Sequence, residues 1–173
     1  WDYPREEALR LGAFSALGTM TIMELGDSFS DYGFSYEDMI MNCVGAAACY
    51  WLGSHPGWQG RLDLRLEYAP SLSNFETDVV TDYEHHKYLL ALKADGFELM
   101  ADSPIRYLEL HLGYYSRGYG DYKSSQPYDD RERIVYVGVG LNVGKAIEGV
   151  WRTRIFDYLQ LPYTYLPVEH DLN

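Results

Sequence analysis

Arg61-Leu62-Asp63-Leu64-Arg65-Leu66-Glu67-Tyr68 is the stretch that decides the fold class. Charged and apolar residues alternate through it without a break, the period-two pattern of a strand with two chemically different faces. The pattern recurs downstream. Ile105 to Ser116 places Leu108, Leu110 and Leu112 on one face, and Ile134 to Val143 does the same with Val135, Val137, Val139 and Leu141. Glu84 to Ala94 has a helix-compatible composition, but Tyr88, Leu90 and Leu92 favour a strand, and Tyr158 to Tyr165 supplies a fifth. Gly and Asp cluster between these runs as turn formers. Pro162 and Pro167 confine the last segment to a sheet edge, because proline cannot donate to a ladder.

Register is strongly constrained, since a slip of one residue would turn every Leu and Val over. The face opposite the Leu and Val side chains carries Arg61, Asp63, Arg65, Glu67, Glu109 and His111, and is expected to be solvated. Five strands fall short of the eight in the smallest outer-membrane barrels, so a closed monomeric barrel is not expected.

Upstream the period changes. Arg5 to Leu25 reads as a helix entered through Pro4, and Ser35 with Asp38 makes a capping-box-like start to a second helix ending near Leu52 and Gly53. Gly12, Ala13, Ala16 and Gly18 on the first helix and Gly45 to Ala48 on the second predict close backbone approach, with Gly45 facing Gly12 or Ala16. The uncharged run from Leu11 to Met23 is too short to span a bilayer. Lys145 to Phe156 suits a short helix. The expectation is an α+β chain forming a single domain over residues 1–173. A small-residue helical hairpin (about 5–53) packs on a twisted antiparallel sheet of about five strands (about 60–173). Two helices cannot cover so wide a sheet, so part of its apolar face should be exposed.

Composition narrows the function. A net charge of -12 argues against nucleic acid as a partner, since non-specific binding rests on Lys and Arg neutralising phosphates. No Lys or Arg lies between Arg10 and Arg61, which disfavours an anionic lipid surface there. Seventeen Tyr against six Phe is a large excess of side chains with an apolar ring and a wet hydroxyl, suited to clefts and membrane interfaces. Cys43 and Cys49 are too far apart on one helix to pair and are expected to be buried thiols. The chain opens at Trp1 without a charged-then-apolar leader, which fits a removed leader or a longer protein.

The run Glu24-Leu25-Gly26-Asp27, then Asp31-Tyr32-Gly33-Phe34-Ser35-Tyr36-Glu37-Asp38, then Asn42 and Gly45-Ala46, resembles the YfiM-like family of uncharacterised predicted periplasmic lipoproteins. A fainter resemblance to VanZ-type membrane proteins covers the same stretch. Tyr83 to Tyr88, Arg106 to Leu110 and Tyr163 to Pro167 are similar to the tails of longer members. The Asp-Lys and Gly-His steps that members often carry ahead of the first helix are not found before Arg5. The resemblance implies a bacterial periplasm or outer-membrane location and no activity.

Two constellations could carry chemistry. Glu24, Asp27, Asp38 and Asn42 are expected to converge at the hairpin turn, where free N–H groups at the second helix welcome carboxylates. A hard divalent cation is the alternative occupant, since Ca²⁺ and Mg²⁺ take oxygen ligands, but no cofactor is assigned. On the strands, Glu84 with His86 and Glu109 with His111 are weak acid/base candidates. The function expected is a non-catalytic, membrane-associated, lipoprotein-like envelope protein contacting lipid or another envelope protein. The alternative is a small hydrolase or transferase acting on envelope lipid or glycan.

Overall fold

A computed structural model describes residues 3–29, 33–70, 83–118 and 131–172 of the chain. Its contacts fall into two units, Trp1–Gln59 and Gly60–Asn173. The first is helical and the second is built on a sheet, an α+β chain as the sequence predicts.

In the first unit α1 runs Arg5–Asp27 and α2 Tyr36–Ser54, followed by a short α3, Pro56–Gln59. Glu6 and Glu7 in the first turn of α1 suit the positive end of its dipole. Gly33, at φ +75°, donates its N–H to the Asp27 carbonyl, a left-handed step that glycine takes without strain. Ser35 caps α2, its hydroxyl accepting from the Asp38 N–H at 3.2 Å. The helices are antiparallel: Arg5 at the start of α1 donates to the Gly53 carbonyl near the end of α2 at 3.0 Å.

Two expectations for this unit are corrected. A Cβ added at Gly12, Gly18 or Gly45 would meet nothing within 4 Å, and Gly12, Ala13, Ala16, Gly45 and Ala46 line a groove between the helices where a tight seam was expected. Close approach occurs at Gly53, where an added Cβ would come within 2.4 Å of the Leu9 side chain. Cys43 and Cys49 are free but exposed, each lining a groove with side chains of α1. No helix is long and apolar enough to cross a membrane among the described residues.

In the second unit β1 (Leu62–Tyr68), β2 (His86–Lys93), β3 (Leu108–Arg117) and β4 (Glu132–Leu141) form an antiparallel meander. The predicted fifth strand is split. Pro162 and Tyr163, the latter at φ +64°, lie in a turn between β5 (Leu159–Gln160) and β6 (Tyr165–Asp171). β5 pairs parallel to β1, β6 pairs antiparallel to β4, and the order is β5-β1-β2-β3-β4-β6. Short helices α4 (Glu98–Ala101) and α5 (Val143–Ile147) sit in the connections.

The sheet is rolled. The two edge strands belong to one continuous stretch, and Gln160 and Tyr165 are five Cα steps apart. Five steps reach at most about 18 Å, whereas the edges of a flat six-stranded sheet lie about 24 Å apart. Side chains confirm the curl: Lys87 Nζ on β2 donates to the Tyr165 hydroxyl on β6 at 3.2 Å, three strand positions away. The sheet is not closed by a ladder among the described residues, since β5 and β6 are its two edges, but its last stretch touches both ends and curls it into a barrel-like shape.

Candidate functional site

Register assembles the outer surface. Leu62, Leu92, Leu110, Val139 and Leu166 are cross-strand neighbours in one row, and Leu64, Leu90, Leu112, Val137 and Val168 in the next. A third row holds Leu66, Tyr88, Tyr114 and Val135. These side chains face out: Leu110 is 52% exposed and Val168 77%.

The opposite face is the buried one, which corrects the expectation of a solvated polar face. Asp63, Arg65, Glu67, Glu109, His111 and Gln160 are all buried, with Glu109 at 2% and His111 at 1% exposure. Curvature is the cause, because the concave side of a rolled sheet closes over its own side chains. Space comes from small residues: Ala91, Gly113, Gly138 and Gly140 alternate inward with large ones. An added Cβ on Gly113 would lie 2.2 Å from the Tyr136 ring, and one on Gly140 2.5 Å from His111.

Arg65 is the hub of the interior. Its guanidinium donates to Glu109 at 2.7 and 3.0 Å, to Asp63 at 2.8 Å and to Gln160 at 2.8 Å. His111 Nε2 lies 2.8 Å from Glu109 Oε1, and Lys93 Nζ 3.0 Å from Asp63. Deeper along the strands Lys87 sits 3.8 Å from Glu67 and 4.8 Å from the centre of the Tyr115 ring. Three cations, Arg65, Lys87 and Lys93, thus face three carboxylates, Asp63, Glu67 and Glu109.

Burial acts unequally on the acids. It pushes Glu109 up, but hydrogen bonds with His111 and Arg65 outweigh it and hold the carboxyl below its ordinary range. For Asp63 burial wins over Arg65 and Lys93, and its pKa is raised. Tyr115 and Tyr136 are both pushed up to about 12, burial being the largest cause, with the Glu169 carboxylate adding to it at Tyr115.

The remaining sequence candidates are placed as follows. Glu84 lies in a 3-10 turn, Tyr83–His85, so it does not share a strand face with His86; its Oε2 accepts the Gly118 N–H at 3.1 Å. His86 is buried between the rings of Tyr68 and Tyr88, at 5.4 and 6.2 Å. In the hairpin only Glu24 of its group is buried, and its Oε2 accepts the Ser35 N–H at 3.3 Å. Ser35 therefore links Glu24 to the Asp38 backbone. The Asp38 side chain is exposed, and Asn42 lies along the interhelical groove. No group of three or more His, Cys, Asp or Glu is placed to hold a metal ion among the described residues. Sequence reasoning missed Lys87, Gln160, Tyr136 and Tyr165 as interior groups, and the inward glycines were the available signal.

Residues 1–54 match the family of predicted periplasmic lipoproteins DUF2279. The match covers the helical hairpin and stops before the sheet. It supports an uncharacterised lipoprotein family of the bacterial periplasm, and carries no activity. No curated protein and no solved structure matches the chain.

Proposed function

We propose that this chain is a non-catalytic protein of the bacterial envelope whose rolled sheet lies against membrane lipid. One observation carries the reading: polarity is inverted, with continuous Leu and Val rows outside and a charge-balanced ion network inside. In water such a sheet is inside out, since buried ions lose solvation and exposed Leu forgo the free energy that burial would release. In an acyl environment both faces are matched, as in outer-membrane strands.

Further features support it. From Leu108 to Tyr114 the apolar band spans six residue steps, about 20 Å along the strand. That is comparable with the ~25 Å band of outer-membrane strands. Tyr88 and Tyr114 pair at one end of it, with Tyr158 beside them, where an aromatic girdle would meet the interface. The YfiM-like resemblance of residues 24–46 falls inside the segment matched to the lipoprotein family. Glu109 and His111, the best acid/base pair, have fully buried side chains and Arg65 clamped on the carboxylate, which favours a structural role over a hydrolase.

Flotation of the full chain with phosphatidylcholine vesicles tests the reading. The protein should rise with the vesicles and need detergent to stay dispersed without them. Leu112→Arg or Val137→Arg should each weaken partition by about 2–4 kcal/mol. A protein that is monodisperse in plain buffer and stays at the bottom of the gradient would overturn it.

A further inference from the structure

At one end of the apolar band the segment 92–97 separates two cavities of about 330 Å³ each. Leu92, Ala94 and Phe97 line an apolar one with Met100, Ile105 and Leu108, continuous with the outer rows. Lys93 and Asp95, their immediate chain neighbours, line a charged cleft on the other side. Successive Cα atoms are ~3.8 Å apart, so a greasy groove and a charged cleft share one rim.

The cleft carries both signs. Lys145 lies 2.8 Å from Glu148 and 3.9 Å from Asp95, while Asp157 takes Arg154 at 3.1 Å and Lys93 at 3.7 Å. Buried Asn142 fixes the frame, donating to Asp95 at 3.0 Å and accepting from the Lys145 N–H at 3.0 Å. Arg152 is exposed and makes no hydrogen bond or ion pair among the described residues. Trp151, 57% exposed, is the kind of amphipathic ring that settles at headgroup depth.

We propose that this rim is a binding site for one zwitterionic phospholipid, with an acyl chain in the Phe97–Ile105 groove and the headgroup in the cleft. The inference rests on the membrane reading above. Arg152 is the phosphate partner, because a guanidinium presents a forked pair of donors to phosphate oxygens. Asp95 and Glu148 face the headgroup ammonium. A zwitterion fits better than an anionic lipid, since the chain carries a net charge of -12 and the cleft pairs its cations with carboxylates.

Native mass spectrometry of the full chain, released from maltoside micelles doped with phosphatidylethanolamine or with diacylglycerol of the same chains, tests the site. One phosphatidylethanolamine should be retained in preference to diacylglycerol. Arg152→Glu should lower retention about tenfold, the loss of one charge-assisted contact, while Arg152→Lys keeps part of it. The melting temperature should move little, since Arg152 is exposed and makes no hydrogen bond or ion pair among the described residues. Equal retention of both lipids or an unaffected Arg152→Glu variant would overturn the site. Vesicle flotation separates the two proposals: if it succeeds while retention is unselective, only the rim assignment falls.

Discussion

Arg65 and Glu109 lie on strands separated by a third, yet they meet through two parallel hydrogen bonds of 2.7 and 3.0 Å with both side chains buried. Adjacent strands are about 4.8 Å apart, so the contact is made across the concave side of the curl. It holds the roll as well as satisfying two charges.

Removing one partner should therefore be severe. Glu109→Gln or Arg65→Met is expected to cost about 3–5 kcal/mol, because the other charge stays buried and unpaired. The double variant Arg65→Met/Glu109→Leu should cost less than the sum. Denaturant unfolding in micelles measures all three, and additivity would mean that the two charges do not interact.

Acid should act through the same pair. Glu109 titrates below its ordinary range in the folded protein, so its contribution is present above the unfolded carboxylate pKa and is lost as pH falls through the lower folded value. Asp63, raised by burial, works in the opposite direction, and protonating it relieves a penalty. Asp63→Asn should accordingly be milder than Glu109→Gln at neutral pH. Melting temperatures of the two variants from pH 7 down to pH 3 provide the comparison.

Alkali should unfold the sheet through its tyrosines. Tyr115 and Tyr136 keep their protons to about 12 when folded, against ~10 in an unfolded chain. The unfolded state then releases protons that the folded state retains, and stability falls as pH rises from ~10 to ~12. The part of the phenolate absorbance that is lost in the Tyr115→Phe and Tyr136→Phe variants should appear together with the change in circular dichroism. That difference signal appearing near pH ~10 with the fold intact would show these two hydroxyls to be solvated.

Two glycines should respond in opposite ways. Gly113→Ala drives a Cβ into the Tyr136 ring at 2.2 Å and should cost at least about 1–3 kcal/mol through overpacking. Gly45→Ala meets open space on a helix and should stabilise by up to ~1 kcal/mol. Thermal melts of the two variants distinguish a filled sheet interior from an open helical groove.

The strands, their faces and the hairpin were legible because each rests on a local signal: alternation in Arg61 to Tyr68, the cap at Ser35. Which face is buried was not legible. Period two separates Leu64 from Arg65 but does not say which side is concave, and that depends on Gln160 and Tyr165 reaching opposite ends of the sheet. The candidate pair Glu109 and His111 was found by residue type, while its dominant partner Arg65 lies 44 residues away and no local pattern joins them. Exposure of Cys43 and space around Gly45 were missed for a related reason, since small size alone does not reveal whether a neighbour stands opposite.

The stretch Leu159–Asp171 follows the four strands that it ties together, and this sets an order of events. A meander of β1 to β4 without it has one face of Leu and Val and one of ions, with neither enclosed. Water is the wrong solvent for the first face and lipid for the second. If the rolled sheet lies against lipid as proposed, the half-made sheet has no medium that suits it, and closure and transfer into the membrane are expected to occur as one step.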